Sequence, residues 1–208
     1  EVYQHNHRDN EAHGIYANRS TITNNNIYVY DCCQDYDRWG YSITSWSDSD
    51  NRSLIEGNTI TAEDETRGIW ASYADITNNT ITGTNNNEWS IGGGSENVIQ
   101  DNTITNMREG LYLDGYTDWV VSNNVIQVNT DNGIYLNNSN GTFTYNLIIS
   151  GGTGIHCQNQ SGDEFSNNTI IGSDGDYGVY IADLSAPVVR NNIIQGFQNG
   201  IYDDNALA

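Results

Sequence analysis

Apolar and polar positions alternate along this chain in short runs that return at intervals of about 22 residues. In the unit from Glu109 to Val128, a short alternating run is followed by a polar turn, a second run, an asparagine and a third run. Alternation with a period of two predicts β-strands, and these runs are too short to be helices. A unit of this length that repeats along the chain indicates a solenoid.

Four columns of residues define the repeat. The first column is an asparagine, found as Asn25, Asn58, Asn79, Asn102, Asn124, Asn146, Asn168 and Asn192. Two residues later comes an isoleucine, found as Ile27, Ile60, Ile81, Ile104, Ile126, Ile148, Ile170 and Ile194. Three residues before the asparagine stands a large apolar residue, found as Ile22, Ile55, Ile76, Ile99, Val121, Phe143, Phe165 and Val189. A glycine before an apolar residue recurs at Gly14, Gly40, Gly68, Gly110, Gly133, Gly154, Gly178 and Gly200, with Ser90 in the same role once.

These columns predict an all-β coil of about eight to nine rungs, each with three short strands, in one domain over residues 1–208. If successive turns stack in register about 4.8 Å apart, the apolar columns form one continuous core. The asparagine column is then expected to form a ladder of amide hydrogen bonds at a corner, where asparagine also tolerates left-handed backbone. No polar cap closes either end, so we expect a segment of a longer protein or ends that stack on a neighbour.

The repeat resembles the right-handed parallel β-helix of the pectate-lyase-like superfamily over about Gly14 to Tyr202. That resemblance implies a right-handed parallel β-helix. It does not imply one activity, because the superfamily contains lyases, hydrolases, epimerases, viral tailspikes and binding scaffolds. In its enzymes the first sheet and its loops line a polysaccharide groove. The resemblance therefore points to the first-sheet face.

The charge balance excludes some partners. The net charge is −20, with 27 acidic residues, seven arginines and no lysine. This excess of negative charge disfavours binding to nucleic acid, whose phosphates would be repelled. It allows a divalent cation such as Ca²⁺, and it equally describes a solvated acidic exterior. No stretch is apolar enough to insert into a membrane.

Three histidines offer one candidate metal site. His5, His7 and His13 crowd the amino-terminal segment, and imidazole is a common ligand of transition metals. Their spacing matches no zinc signature, so a polar, solvated terminus is the alternative. The adjacent Cys32 and Cys33 lie in a predicted loop, and Cys157 falls in an inward column.

The outward position of the first strand predicts a stripe of aromatic residues. It runs through Tyr16, Ser42, Trp70, Gly92, Tyr112, Tyr135, His156, Tyr180 and Tyr202. Such a ladder can stack on sugar rings, or its rings can simply stabilise one another. Together with Trp89, we assign glycan binding to Tyr16, Trp70, Tyr112, Tyr135, His156 and Tyr180.

The stripe is interrupted at Gly92, where missing side chains leave room for a ligand. If the chain is a lyase, the resemblance implies an arginine base, here Arg67 or Arg108, with Ca²⁺ held by acidic residues. If it is a hydrolase, two carboxylates must flank the bond, and Glu109 with Asp114 is the nearest pair. Ion pairing on a solvated turn is the alternative interpretation for each of these residues.

The third strand carries two further patterns. Threonine pairs on three consecutive rungs resemble the ice-binding faces of some β-solenoids, but later rungs lose them. Leu147, Ile149, Ile171 and Ile193 predict an apolar patch covered by another domain or protomer.

The sequence therefore favours an extracellular β-helix that binds or processes a polysaccharide or other glycan along its first sheet. The alternative is a non-catalytic solenoid segment of an adhesin, surface fibre or viral spike that stacks on neighbours.

Overall fold

The computed structural model describes residues 2–6, 12–31, 40–84, 88–94, 96–115 and 117–207. Within these residues the chain is an all-β parallel solenoid, as the repeat predicts. Each turn contributes one strand to each of three stacks, and neighbouring strands within a stack pair in parallel.

The first stack follows the glycine column. It contains β2 (Ala12–Tyr16), β5 (Gly40–Trp46), β8 (Arg67–Ser72), β11 (Trp89–Gly93), β14 (Glu109–Asp114), β17 (Ile134–Asn137), β20 (Ile155–Gln158) and the later parts of β22 (Thr169–Ile181) and β24 (Ile193–Asp203). The second stack precedes the asparagine. It contains β3 (Thr21–Thr23), β6 (Ser53–Glu56), β9 (Ala74–Thr77), β12 (Val98–Gln100), β15 (Thr117–Ser122), β18 (Asn140–Thr144), β21 (Glu164–Ser166) and β23 (Val188–Arg190).

The third stack follows the asparagine. It contains β1 (Val2–Asn6), β4 (Asn26–Asp31), β7 (Thr59–Glu63), β10 (Thr80–Thr82), β13 (Thr103–Met107), β16 (Val125–Val128), β19 (Leu147–Ser150) and the earlier parts of β22 and β24. A 3-10 helix, Asp204–Leu207, follows the last strand. In the part of the chain that is described, the second stack has eight strands, and about seven full turns of the solenoid separate the first from the last.

The core is the set of inward apolar columns. The isoleucines after the corner asparagines are fully buried from Ile27 to Ile170, and so are Phe143 and Phe165 from the second stack. Glycine precedes the inward residue of the first stack because a Cβ there has no room. At Gly110 it would strike the backbone carbonyl of Gly133 and the side chain of Ile126.

The corner asparagines form the predicted amide ladder. The Nδ2 of Asn124 donates to Asn146 Oδ1 at 3.0 Å and to the Ile99 carbonyl at 2.9 Å. Its Oδ1 accepts both the backbone N–H and the Nδ2 of Asn102 at 3.0 Å. The same pattern repeats from Asn25 to Asn192, so each buried amide is satisfied by the turns on either side.

The left-handed residue of the corner is the residue before the ladder asparagine, rather than the asparagine itself. Positive φ values occur at Asn24, Gly57, Asn78, Asp101, Asn123, Tyr145, Asn167 and Asn191. Asparagine, aspartate and glycine tolerate this conformation, whereas the bulky Tyr145 adopts it at a steric cost.

Candidate functional site

The first stack carries a continuous row of aromatic side chains on its outer face. The register pairs Tyr16 with Thr44 and Thr44 with Trp70, so Thr44 takes the place expected for Ser42, and both of these side chains are buried. The expectation failed because Gly40-Tyr41 and Ser42-Ile43 both fit the glycine-apolar pattern. Only Ile43 continues the inward column.

We call the central row of this face the aromatic ladder, and it comprises Trp70, Trp89, Tyr112, Tyr135, His156, Tyr180 and Tyr202. The Tyr112 and Tyr135 rings stack with centroids 5.1 Å apart and planes within 13° of parallel. His156 lies edge-on to Tyr135 at 5.3 Å and 4.9 Å from Tyr180. The ladder thus presents one ring per turn along the solenoid axis.

Trp89 fills the interruption that the sequence predicts at Gly92. A Cβ on Gly92 would meet Trp89 at 3.1 Å and Trp70 at 3.2 Å, so the two indoles lie over this glycine. Trp89 is only 3% exposed, and the Arg67 guanidinium covers it at 4.9 Å. The space expected for a ligand is therefore occupied, and Trp89 supports the ladder from beneath instead of offering a free face.

Polar side chains border the ladder where the strands of the first stack end. We call Asp114, Asn137, Asn159 and Gln160 the amide rim. Asn159 Nδ2 donates to Asn137 Oδ1 at 2.6 Å, and Asn137 Nδ2 donates to Asp114 Oδ1 at 2.6 Å. With Gly115 and Asn138, the rim lines an open, polar depression of about 440 Å³ beside Tyr112 and Tyr135.

The hydroxyls of Tyr112 and Tyr135 stay protonated and hydrogen-bond polar residues at the ends of the first-stack strands. Tyr112 OH lies 3.5 Å from Asp114 Oδ2, and Tyr135 OH donates to Gln158 Oε1 at 3.2 Å. Burial, and then the Asp114 charge, raise the pKa of Tyr112 to about 12, and the same causes raise the pKa of Tyr135. Burial lowers the pKa of His156, partly opposed by Asp183, which favours a neutral imidazole.

Charged side chains occupy the opposite edge, where the strands begin. Glu88 binds Arg67 at 3.2 Å and Arg108 at 3.6 Å, and Arg108 also binds Asp131 at 2.9 Å. Arg67 donates to Tyr41 OH at 2.9 Å. Both arginines that the lyase hypothesis requires are therefore engaged in ion pairs. We call Arg67, Glu88, Arg108 and Asp131 the ion-pair cluster.

Glu109 is a buried carboxyl group beside the ion-pair cluster. Burial is the main cause that raises its pKa to about 7, while the hydrogen bond from Asn132 at 2.8 Å opposes the shift. Glu109 and Asp114 lie at opposite ends of β14, so their Cα atoms are on the order of 16 Å apart at about 3.3 Å per residue. The strand does not bring together the two carboxylates that the hydrolase hypothesis pairs, since such pairs lie about 5 to 9.5 Å apart.

The predicted histidine cluster is only partly described. His5 lies in β1, but its side chain, like the whole of His7, falls outside the described residues. His13 hydrogen-bonds Thr44 Oγ1 through Nδ1 at 2.8 Å and stacks on Tyr41 at 5.4 Å. Among the described residues, no three His, Cys, Asp or Glu side chains converge on a metal site, and the expected Ca²⁺ gains no support.

The apolar patch of the third stack is present. Leu147, Ile149 and Ile171 are half-buried, Ile193 is 59% exposed, and neighbouring turns pair in register.

Among the site residues, sequence reasoning missed Asn137, Asn159 and Gln160. A signal was available, because the strands that carry Tyr112, Tyr135 and His156 end in the polar residues Asp114, Asn137 and Gln158.

These features define the class of protein: a parallel β-solenoid with an amide-ladder corner and one aromatic outer face. The family model described as "Periplasmic copper-binding protein (NosD)" matches residues 20–207. The chain therefore belongs to the NosD family, whose members are right-handed β-helix proteins. Neither the curated proteins nor the solved structures give a match. In the described residues, no helix has the length and hydropathy to cross a bilayer.

Proposed function

We propose that this chain binds a glycan along the outer face of its first stack, outside the cytoplasm. The observation that carries the proposal is the aromatic ladder, which extends without a break from Trp70 to Tyr202 beside the amide rim. Aromatic side chains contact the apolar CH groups of sugars, and amides and hydroxyls pair with sugar hydroxyls. The family's periplasmic description agrees with a location where such polymers are met.

The glycan in this proposal lies parallel to the solenoid axis. Tyr112, Tyr135 and His156 follow one another on successive turns at 5.1 and 5.3 Å, a step comparable to a sugar unit in an extended chain. The rim advances with them, because Asp114 and Asn137 are register partners. The turns of Tyr112, Tyr135 and His156 thus each offer one ring and a polar group, which suits a repeating ligand.

The test is affinity electrophoresis against a panel of polysaccharides, with the double variant Tyr112→Ala/Tyr135→Ala. Loss of two stacking rings is expected to weaken binding by roughly tenfold or more. Tyr28→Ala is the matched control, because Tyr28 is 41% exposed on the third stack and lies away from the ladder. Equal binding by the double variant and by wild type would contradict the proposal.

The same incubations report whether bound polymer is cleaved. Unsaturated ends would indicate a lyase and new reducing ends alone a hydrolase. The ion-paired Arg67 and Arg108 and the separation of Glu109 from Asp114 support binding over cleavage. We therefore expect neither product from any polymer that binds.

A structural role is the other candidate function, and the apolar patch on the third stack favours it. Ile193 is exposed one turn from Ile171 and two turns from Leu147 and Ile149 on the same stack, and such a cluster suits the surface of a neighbouring domain or protomer. Changing Ile193 to Asp would abolish concentration-dependent self-association, measured by light scattering, if the patch joins copies of the chain. Unchanged association would remove the patch from this role.

Copper is the ligand named in the family's description, and the described residues do not fit it. His13 is hydrogen-bonded, while Cys157 and Met107 are fully buried, and burial raises the pKa of the Cys157 thiol. Copper titration against a competing chelator tests binding directly. If copper binds tightly, loss of binding in His7→Ala or Cys32→Ser variants, with His156→Ala as control, would place the donors in the amino-terminal part of the chain.

A further inference from the structure

We propose that the aromatic ladder and amide rim select neutral glycans and reject chains of uronic acids. This inference rests on the proposed function and names the substrate class of that same face. The argument concerns charge, because the stacking rings alone do not distinguish a neutral sugar from its uronate.

The cations beside the ladder are already neutralised. Arg67 is paired with Glu88, and Arg108 with Glu88 and Asp131, so this group of four charges sums to zero. Arg67 is also held between the Tyr41 and Trp89 rings, at 5.5 and 4.9 Å from their centroids. A sugar carboxylate would have to displace Glu88 or Asp131 to reach either guanidinium, and nothing would be gained in net charge.

The side chains that line the depression are one carboxylate, Asp114, and the amides of asparagine and glutamine. Asp114 accepts from Asn137 and lies next to Tyr112 OH. A uronate on the Tyr112 or Tyr135 ring would bring a second carboxylate toward this one, and like charges a few ångströms apart repel strongly. Burial keeps the imidazole of His156 neutral, with Asp183 acting against this shift, so it does not compensate.

Neutral sugars meet no such penalty. Their hydroxyls can donate to Asp114 and to the side-chain carbonyls of Asn159 and Gln160, and can accept from the same amides. A sugar hydroxyl can therefore donate to the carboxylate and accept from an amide N–H. The chain's net charge of −20 acts in the same direction at longer range and weakens at high salt.

The experiment compares polyuronates with their carboxyl-reduced derivatives, which differ in charge but share linkage and length. Binding is measured by isothermal titration at low and high salt. We expect the reduced polymers to bind at least roughly tenfold more tightly than the polyuronates at low salt, and the difference to narrow as salt rises.

Two variants test the origin of the selectivity. Asp114→Asn should raise polyuronate affinity roughly five- to tenfold, because it removes the repulsion and retains a polar side chain. Glu88→Gln should raise it by a similar factor, since Arg67 and Arg108 lose a shared carboxylate. Asp101→Asn makes the same charge change at an exposed corner away from the face, and should change polyuronate affinity less than twofold.

The outcomes separate the two proposals. Polyuronates that bind as well as their reduced forms would overturn the selectivity and leave glycan binding intact. Reduced polymers that bind, with polyuronates rescued by Asp114→Asn, would support it. If no polysaccharide binds in either form, the proposed function fails and the selectivity fails with it.

Discussion

The solenoid contains two ladders that repeat once per turn, and they differ in how much the residue type varies from one turn to the next. At the corner ladder every described rung carries asparagine, and those from Asn58 to Asn168 are buried and bonded to both neighbouring turns. On the aromatic ladder the residue changes from tryptophan to tyrosine to histidine, and the rings are mostly half-buried. The corner is fixed by backbone hydrogen bonding, whereas the face is free to vary with a ligand.

The largest expected effect is at the corner. Asn124→Ala would remove the acceptor for two donors of Asn102 and the donor to Asn146 and the Ile99 carbonyl. Buried groups left without partners cost about 1 to 3 kcal/mol each, so we expect a loss of roughly 3 kcal/mol or more in the free energy of unfolding. Urea denaturation measures it.

The matched control is Asn192→Ala at the half-buried end of the same ladder. Asn192 accepts from Asn168 and donates to the Phe165 carbonyl, with partners on one side. Its replacement should cost clearly less. Equal losses at Asn124 and Asn192 would show that burial of the ladder does not set its contribution.

The next effect depends on pH and concerns the edge of the face. The folded state raises the pKa of Glu109 from 4.5 to about 7, mainly through burial. The contribution of protonated Glu109 to the free energy of unfolding is complete below pH 4.5 and is lost as the pH rises toward 7 and beyond. At about 1.36 kcal/mol per pH unit of separation, the loss amounts to roughly 3 kcal/mol.

Glu109→Gln isolates this contribution. Glutamine keeps an oxygen for the Asn132 amide and does not titrate. The difference in unfolding free energy between variant and wild type, measured by urea titration at a series of pH values, should grow in the variant's favour from pH 5 to 8. A difference that stays constant over this range would show that Glu109 titrates normally.

The smallest expected effect is at a corner residue outside both ladders. Tyr145 holds a φ of 58° and is 64% exposed, whereas asparagine occupies the equivalent place on several other turns. Tyr145→Asn should stabilise the chain by roughly 0.5 to 1 kcal/mol, because asparagine tolerates left-handed backbone. Thermal denaturation measures it, and a lowered melting temperature would mean that the Tyr145 ring makes a compensating contact.

The two ladders also differ in how well the sequence predicts them. The asparagine column, its spacing and the buried isoleucines are visible as identities, because one backbone geometry selects them on each turn. The face is harder. Trp89 reaches over Gly92 from three residues earlier in the chain, and the bonds from Asn159 through Asn137 to Asp114 join side chains on successive turns. Neither follows from a column of residue types.

The shift from Ser42 to Thr44 has the same origin. Two consecutive dipeptides, Gly40-Tyr41 and Ser42-Ile43, satisfy the repeat, and only the pairing of Ile43 with Ile15 and Ile69 decides between them. Local pattern thus predicts the strand, and packing between turns sets its register.

Hydroxyl-radical footprinting with a bound neutral oligosaccharide tests the central claim most directly, because it reports which rings the ligand covers. We expect protection of Tyr112, Tyr135 and Tyr180 on the first stack. Tyr28 and Tyr145, which are exposed elsewhere, should remain as reactive as in the free chain. Protection of Tyr28 or Tyr145 with an unprotected ladder would contradict the assignment of glycan binding to this face.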